Sequence, residues 1–214
     1  MSWHKDDDRQ PRRGYHHGNL REALIRAALE LIGKKGPAGF TFAEAARAAG
    51  VSSAAPYRHY RDLPELMADV ALLGFEKFEA SLSKAWNNGM PEPVVAFENT
   101  GKAYLAFARE EPALYAAMFE SGLALEAVPA LQQASDRAFA VLRAASEAVA
   151  ALIPKEGRPP ALMLSLHMWA FAHGIASLFA RGDAGRRKLP MSPDDLLEAG
   201  FLIYLQGLGA PPMR

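Results

Sequence analysis

The segment Thr41–Tyr60, TFAEAARAAGVSSAAPYRHY, decides the fold of this chain. It opens with Thr41 and, three residues later, Glu44, which is the capping-box pattern with which many helices begin. Gly50 is expected to end this first short helix, because glycine readily takes the left-handed backbone of a tight turn. The segment therefore predicts two short helices joined by a glycine turn, the arrangement of a helix-turn-helix unit.

The second short helix is expected to begin at Ser52 or Ser53 and to end at Tyr60. Pro56 lies inside it, and proline lacks the amide hydrogen that an interior helix position donates, so a regular helix is expected to start late. Two helices this short cannot bury an apolar face by themselves. A preceding helix over 19–35, with apolar residues at helical spacing, is expected to complete a three-helix core.

The rest of the chain is also predicted to be helical, because proline and glycine separate stretches whose apolar residues recur at helical spacing. The helices are expected over residues 19–35, 41–49, 53–60, 62–87, 93–111, 112–121, 129–153, 159–181 and 192–207. About nine helices and no sheet predict an all-α protein. We divide it into residues 1–62, a flexible arm with the helix-turn-helix domain, and residues 63–214, a C-terminal helical bundle.

Composition narrows the possible classes of function. The 214 residues include no cysteine, which excludes disulfide scaffolds, thiol nucleophiles and cysteine-bound metals, and which is typical of a reducing compartment such as the cytoplasm. The first eight residues have no apolar stretch, so they are not expected to be a secretory signal. No apolar run is expected to reach the roughly 18 residues that a membrane-spanning helix needs, and no membrane partner is expected.

The formal net charge of zero conceals a basic part and an acidic part. Residues 1–62 carry 11 Lys and Arg against 7 Asp and Glu, whereas residues 63–214 carry 13 against 17. A basic excess favours an anionic partner for the part of the chain that contains the helix-turn-helix segment. Ordinary variation in surface charge is the alternative explanation.

In helix-turn-helix units that bind DNA, the second helix enters the major groove with its N-terminal residues toward the bases. Here Ser53, Ala54, Ala55 and Tyr57 would face base edges, while nearby cations and hydroxyls would meet phosphates. Two arginines of the arm would enter the minor groove. The candidate DNA-binding residues are Arg12, Arg13, Thr41, Arg47, Ser52, Ser53, Ala54, Ala55, Tyr57, Arg58, His59, Tyr60 and Arg61.

Two other functions remain open. The first is an all-α interaction module, because a short helical hairpin can dock a protein instead of DNA. The second is an all-α enzyme, but the sequence contains no Gly-x-Ser-x-Gly, no His-Glu-x-x-His and no glycine-rich phosphate loop, so no catalytic residue and no enzyme activity are expected. His167 and His173 are six positions apart and face different sides of one helix, so neither a metal site nor a cofactor is expected.

The stretch from Leu20 to Leu66 resembles the DNA-binding domain of TetR-family transcriptional regulators. The matching residues are Ala27-Ala28-Leu29, Gly36, Phe40-Thr41, Ala46, Ala49-Gly50-Val51-Ser52, Tyr57-Arg58-His59-Tyr60 and Leu66. Further along, Glu111–Phe119 is similar to a segment of the family's regulatory domains, and Trp169 with His173-Gly174 is similar to a motif of one C-terminal domain class. The chain departs from the family at Leu63-Pro64, where many members carry a lysine that meets a phosphate; the adjacent arginine would take its place.

The resemblance implies a bacterial, cytoplasmic regulator, usually a repressor, that binds a palindromic DNA operator as a homodimer and responds to a small-molecule effector. Residues 63–214 would then form the ligand-sensing and dimerisation domain. The candidates for an apolar effector pocket are Phe75, Phe78, Phe97, Tyr104, Phe107, Tyr115, Met118, Phe139, Met163, Trp169 and His173. The candidates for the dimer interface are Leu162, Leu166, Ala170, Ile175, Leu178, Leu196, Phe201 and Leu205. For each of these residues the alternative is an ordinary core position.

Overall fold

The structure is a computed structural model that describes residues 20–180 and 190–209. Eight α-helices and no strand lie in these two ranges, which confirms the all-α fold. The helices are α1 (Leu20–Lys35), α2 (Phe42–Ala48), α3 (Leu63–Trp86), α4 (Pro93–Glu110), α5 (Pro112–Phe119), α6 (Pro129–Leu152), α7 (Ala161–Ala180) and α8 (Pro193–Gly207). The predicted arm with Arg12 and Arg13, and the predicted cap at Asn19, lie outside the described residues.

Local capping fixes where several helices begin. The backbone N–H of Glu44 donates to the Thr41 hydroxyl (3.2 Å), and the Thr41 N–H donates to the Glu44 carboxylate (2.8 Å), so the predicted capping box is present. Asp62 caps α3 through a bond from the Glu65 N–H (3.0 Å), as predicted. Ser192 begins α8 in the same way. Proline in the first turn accompanies the starts of α4, α5, α6 and α8.

The predicted third helix is not an α-helix. Between α2 and α3 the chain forms a single 3-10 turn over Ala55–Arg58, and Ala54 occupies its N-cap position without any side-chain cap. The serine cap expected from Ser52 or Ser53 is therefore wrong. Pro56 explains the difference, because its missing N–H removes the hydrogen bond with which a regular helix would begin. Gly50 supplies the preceding turn with a φ of 73°, as predicted for a left-handed position.

Helix α3 connects the two parts of the molecule. It packs against α1 near the helix-turn-helix segment and against α4, α5 and α6 in the C-terminal bundle. The Asp69 carboxylate, in the second turn of α3, accepts hydrogen bonds from Arg21 and Tyr60, so the start of α3 is also part of the N-terminal core. Helix α5 contacts α1 as well and gives the bundle a second connection to the N-terminal helices. The division at residue 62 stays a prediction.

The expectation that no apolar run is long enough to span a membrane is wrong for α7. The stretch Ala161–Phe179 has 19 residues and a mean hydropathy of 1.4, which is sufficient by length and composition. A core helix of a soluble protein passes the same test, and about a third of this stretch is buried. One side of α7 packs on α4, α6 and α8, and the opposite side is exposed.

Candidate nucleic-acid interface and effector pocket

Most of the candidate DNA-binding residues lie exposed around the turn that follows α2. The exposed residues are Thr41, Arg47, Ser52, Ser53, Ala54, Tyr57, Arg58, His59 and Arg61, and Ala55 is half-buried. Pro56 is buried beneath them and anchors the 3-10 turn to the rest of the domain. The segment therefore presents hydroxyls, small apolar groups and cations on one protruding turn.

Tyr57 is an exposed tyrosine of this turn, with 64% of its surface accessible. Its ring packs edge-on against Phe42, the first residue of α2, with ring centroids 5.1 Å apart. An edge-to-face pair of this kind contributes about 0.5–1.5 kcal/mol beyond its burial. The contact holds the Tyr57 ring in a fixed position relative to α2 while most of the side chain stays accessible to a partner.

Tyr60 does not belong to this exposed surface, and its predicted contact with a phosphate is wrong. Only 4% of the residue is accessible, and its hydroxyl donates to the Asp69 carboxylate over 2.7 Å. Arg21 donates to the same carboxylate over 2.7 Å. Burial, together with the bond to Asp69, raises the pKa of Tyr60, and the bond to Asp69 raises the pKa of Arg21. The tyrosine thus fastens the turn to α1 and α3.

Arg21 and Asp69 are not among the site residues predicted from the sequence. The available signal was an acidic residue inside the otherwise apolar stretch Leu66–Ala71, since an acid placed there is rarely buried without a partner.

The cations around the turn differ in whether they already have a partner. Within the described residues neither Arg47 nor Arg58 makes an ion pair, whereas Arg61 pairs with Glu65 over 3.4 Å. Lys35 pairs with Glu44 over 2.7 Å. This lysine, together with the hydrogen bonds from Thr41, lowers the pKa of Glu44 to about 2. Two arginines are therefore available for phosphates without losing an internal partner.

A pocket of about 260 Å³ lies in the C-terminal bundle between α3, α4, α5, α6 and α7. It is lined by Phe75, Phe78, Leu82, Tyr104, Phe119, Ser135, Asp136, Ala138, Phe139, Leu142, Leu166 and Trp169. Five of these residues are among the predicted pocket residues: Phe75, Phe78, Tyr104, Phe139 and Trp169. The lining is mostly apolar with a few polar groups, which is the usual composition of a small-molecule site.

The other predicted pocket residues lie elsewhere. Phe97 lines a small neighbouring cavity of about 20 Å³. Phe107 is buried against Phe78, with ring centroids 5.0 Å apart. Met118 is buried against Gly74, where a β-carbon would lie 2.7 Å from the methionine sulfur. Met163 is exposed on the outer side of α7. These four side chains are all apolar, and spacing along one helix does not reveal whether a neighbouring helix fills the space beside them.

Tyr115 and His173 form a hydrogen-bonded cluster with the pocket residue Tyr104 instead of lining the pocket themselves. The Tyr104 and Tyr115 hydroxyls lie 2.8 and 2.9 Å from His173 Nδ1. The unprotonated nitrogen of a neutral imidazole has one lone pair, so an unprotonated Nδ1 accepts from one of the two hydroxyls at a time, whereas a protonated Nδ1 donates to one of them. Burial lowers the pKa of His173 and so favours the neutral form of the ring. The cluster connects α4, α5 and α7 directly beside the pocket.

The predicted dimer residues divide between an outer face and the core. Leu162, Leu166, Ala170 and Leu178 are exposed on α7, and Leu196 is half-buried. For Ile175, Phe201 and Leu205 the prediction is wrong, because they are buried within a single chain. Phe201, for example, stacks on Phe97 with ring centroids 5.5 Å apart. Both helices are apolar on more than one side, so spacing alone did not separate the inner face from the outer one.

A groove of about 620 Å³ runs between α7 and α8 on this outer side. It is lined by His167, Met168, Ala170, Phe171, Gly200, Phe201, Ile203 and Tyr204. Gly200 allows the two helices to approach, because a β-carbon at that position would lie 2.1 Å from the Phe171 ring. Ile203, which is not among the predicted dimer residues, is 72% exposed at the edge of the groove. We call Leu162, Met163, Leu166, Ala170, Leu178 and Ile203 the α7–α8 face.

No group of three or more His, Asp or Glu side chains that could hold a metal ion occurs within residues 20–180 and 190–209.

Two family models match the chain. The model for bacterial regulatory proteins of the tetR family matches residues 24–70, which contain α2, the exposed turn and the start of α3. The model for the tetracyclin repressor-like C-terminal domain matches residues 97–202, which contain much of the pocket and most of α7 and α8. No curated protein matched the chain.

Solved structures share the fold over most of the chain. A protein of unknown function from Rhodococcus sp. RHA1 is 31% identical, with a TM-score of 0.75 over 92% of this chain and 99% of that chain. The TetR family transcriptional regulator PfmR from Thermus thermophilus is 20% identical, with a TM-score of 0.65 over 86% and 98%. A tetR-family regulatory protein from Rhodococcus RHA1 is 18% identical, with a TM-score of 0.68 over 90% and 98%. One family model matches residues 24–70 and the other matches residues 97–202, and the fold agrees with both. The chain therefore belongs to the TetR family of bacterial transcriptional regulators.

Proposed function

We propose that this protein is a cytoplasmic repressor that binds a palindromic operator as a homodimer and is released from it by a small, largely apolar effector. The observation that carries the proposal is the protruding turn after α2, where Tyr57 is 64% exposed beside two arginines without an internal ion pair among the described residues. A regulator of this kind needs neither a catalytic residue nor a cofactor.

The exposed turn supplies the groups that DNA binding requires. Arg47 and Arg58, both exposed, would meet phosphates, which hold a protein in register on the duplex without reading sequence. Ser53, Ala54 and Tyr57 remain the candidates for base edges, where methyl groups suit thymine and a hydroxyl suits several bases. Because the turn is short, few side chains can enter the groove from one chain, and a second copy is needed to make a specific site.

A homodimer provides that second copy. Two-fold symmetry would place the two turns about 34–36 Å apart, one turn of the duplex, so that they read the two halves of a palindrome. The exposed α7–α8 face supports this assembly, because large apolar residues lie there on a helix without a single Asp, Glu, Lys or Arg.

Helix α3 is the element that would couple the pocket to DNA. Phe75 and Phe78 of α3 line the pocket, and Asp69 of the same helix holds Arg21 and Tyr60 in the N-terminal core. An effector that displaces the pocket end of α3 would therefore also displace the exposed turn relative to its two-fold copy. By linkage, DNA must weaken effector binding by the same factor, a coupling of typically about 1–3 kcal/mol.

Capture of genomic DNA tests the proposal. Purified protein is incubated with sheared genomic fragments, and the enriched sequences are tested as labelled duplexes by fluorescence anisotropy. We expect a palindromic site whose affinity falls at least tenfold in Arg58→Ala, since the lost contact is charged. Arg143→Ala is the matched control: it removes the same charge from an exposed position of α6, far along the chain from the turn. Failure to enrich any fragment, or equal affinities for the two variants, would refute DNA binding through this turn.

A further inference from the structure

We propose that a second copy of the chain closes the mouth of the effector pocket, so that the pocket is complete only in the dimer. The inference rests on the proposed homodimer and goes beyond it, because it assigns the partner a part in binding the effector.

The pocket has a buried floor and an exposed rim. Phe75, Phe78 and Tyr104 on its floor are at most 5% accessible. On the rim, Leu166 and Trp169 of α7 are 43% and 39% accessible. Phe139 of α6, which also lines the pocket, packs edge-on against Trp169, with ring centroids 6.2 Å apart. A bound effector would thus be enclosed on the side of Phe75, Phe78 and Tyr104, while its outer side would still face water beside Leu166 and Trp169 in a single chain.

The rim of the pocket is continuous with the α7–α8 face. In an α-helix, residues four apart are offset by roughly 40° around the axis. Leu162, Leu166 and Ala170 therefore follow one another along the same side of α7, and Trp169 lies at the edge of that side next to α6. Leu166 belongs both to the rim and to the face. A partner seated on the face would consequently also lie over the opening.

The size and chemistry of the surface fit a second copy. Five large residues of the face and Trp169 are each between 39% and 72% exposed. At about 200 Å² for a fully exposed large side chain, they offer on the order of 600 Å² before the small residues between them are counted. Each partner in a standard interface contributes roughly 800 Å². Two identical uncharged faces also meet without like-charge repulsion.

The face carries both a projecting side chain and a groove. Ile203 projects beside the groove that Ala170 and Gly200 line. In a two-fold interface each copy presents the same surface to the other, so a projecting side chain and an adjacent groove can be filled reciprocally. This arrangement favours a second copy over a flat lipid surface as the partner of the face.

The experiment makes Trp169 the reporter of the opening. Trp3 and Trp86 are replaced by phenylalanine, so that Trp169 is the sole tryptophan of the chain. Ile203→Asp, which lies on the face and does not line the pocket, is introduced to separate the chains. Leu152→Asp is the matched control, because it places the same charge at an exposed leucine on α6 that lines neither the pocket nor the groove. Sedimentation velocity gives the oligomeric state, and circular dichroism checks folding.

Two measurements follow on each variant: quenching of Trp169 by acrylamide, and the affinity for 1-aminoanthracene, a neutral aromatic probe. We expect the Leu152→Asp dimer to show at least twofold less quenching, and at least fivefold tighter binding of the probe, than the Ile203→Asp monomer. If Ile203→Asp does not fold, the chain that carries neither aspartate substitution is diluted until its dimer dissociates. Trp169 quenching that increases as the dimer dissociates would support the inference in the same way.

Equal quenching and equal probe affinity in dimer and monomer would overturn the inference while leaving the homodimer intact. A protein that is monomeric at micromolar concentration would overturn the homodimer and, with it, the inference. A monomer that sediments with phosphatidylcholine vesicles would also overturn both the homodimer and the inference, because a lipid surface would then be the partner of the face.

Discussion

Asp69 is the residue that joins the exposed turn to the helices beneath it. Its carboxylate is mostly buried and lies 2.7 Å from donor atoms of both Arg21 and Tyr60. Hydrogen bonds that involve a charged group contribute more to stability than those between neutral groups, typically about 1.5–3 kcal/mol each. One carboxylate therefore stabilises the position of a turn whose side chains face outward.

Asp69→Asn is expected to lower the free energy of unfolding by about 1–2 kcal/mol, because the ion pair with the largely exposed Arg21 is lost while one acceptor for Tyr60 is kept. Urea unfolding followed by circular dichroism measures the change. Asp136→Asn, at an exposed position of α6, serves as the control and should stay within about 0.5 kcal/mol. An unchanged midpoint for Asp69→Asn would contradict the anchoring role.

Gly50 offers a second test at a single position. Its φ of 73° is left-handed, and a β-carbon there would meet nothing within 4 Å, so backbone strain is the only obstacle to a side chain. Gly50→Val is expected to destabilise the domain by about 1–2 kcal/mol, whereas Gly50→Asn should lose less, because asparagine tolerates this conformation. Equal unfolding midpoints for the two variants would show that the turn does not depend on its backbone conformation.

Single residues also mark what a sequence can predict. Thr41, Glu44 and Asp62 were placed correctly, because a cap depends on residues only three positions apart. Tyr60 was misplaced, since its burial depends on Asp69 and Arg21, which are 9 and 39 positions away along the chain. Its neighbours in the sequence, Arg58 and His59, are exposed, and nothing local distinguishes an inward tyrosine from an outward one in so short a turn.

At the scale of helices, the junction of α4, α5 and α7 centres on His173. Its pKa is lowered by burial, below the usual value of about 6.5. The unfolded chain therefore binds a proton at a higher pH than the folded chain does. Folding stability rises with pH wherever the unfolded state binds more protons. The contribution of this junction is complete above about pH 6.5 and decreases as the pH falls below that value.

His173→Asn keeps an acceptor near Nδ1 but removes the titration. We expect the melting temperature of the unsubstituted protein to fall more steeply between pH 7 and pH 5 than that of the variant. A proton NMR titration of His173 should give a midpoint below 6.5, because burial disfavours the charged imidazolium. A midpoint at or above 6.5, or parallel melting curves for the two proteins, would contradict a buried neutral imidazole in this junction.

Helix boundaries were more predictable than helix faces. Prolines and capping residues placed both ends of α2, α3, α4, α5, α6 and α8, whose two ends lie inside the described ranges, within about two residues, because these signals act within one turn. By contrast, α7 has apolar residues on every side, so its spacing could not show that Ile175 faces the core while Leu166 faces outward. For the same reason the pocket prediction found Trp169 but assigned Leu166 to the dimer interface only.

At the scale of the whole molecule, the chain is neutral, but residues 1–62 carry an excess of basic side chains and residues 63–214 an excess of acidic ones. The basic excess lies in the part that contains the exposed turn. DNA binding releases counterions, and the logarithm of affinity falls with the logarithm of salt concentration by roughly 0.9 for each neutralised phosphate. We expect Arg47→Ala and Arg58→Ala each to reduce this slope by about 0.9, and the double variant by about twice as much. Anisotropy titrations between about 50 and 200 mM salt, over which such affinities fall steeply, check the prediction. An unchanged slope in the double variant would place the phosphate contacts elsewhere.

The uncharged outer side of α7 also has a consequence for how the protein is made. In the proposed homodimer a second copy covers this side, so a chain that has just left the ribosome would expose it until pairing, while chaperones, proteases and other newly made chains compete for it. Pairing of two copies is second order in their concentration, whereas degradation of one copy is first order. The soluble yield would therefore rise more than proportionally with the rate of synthesis.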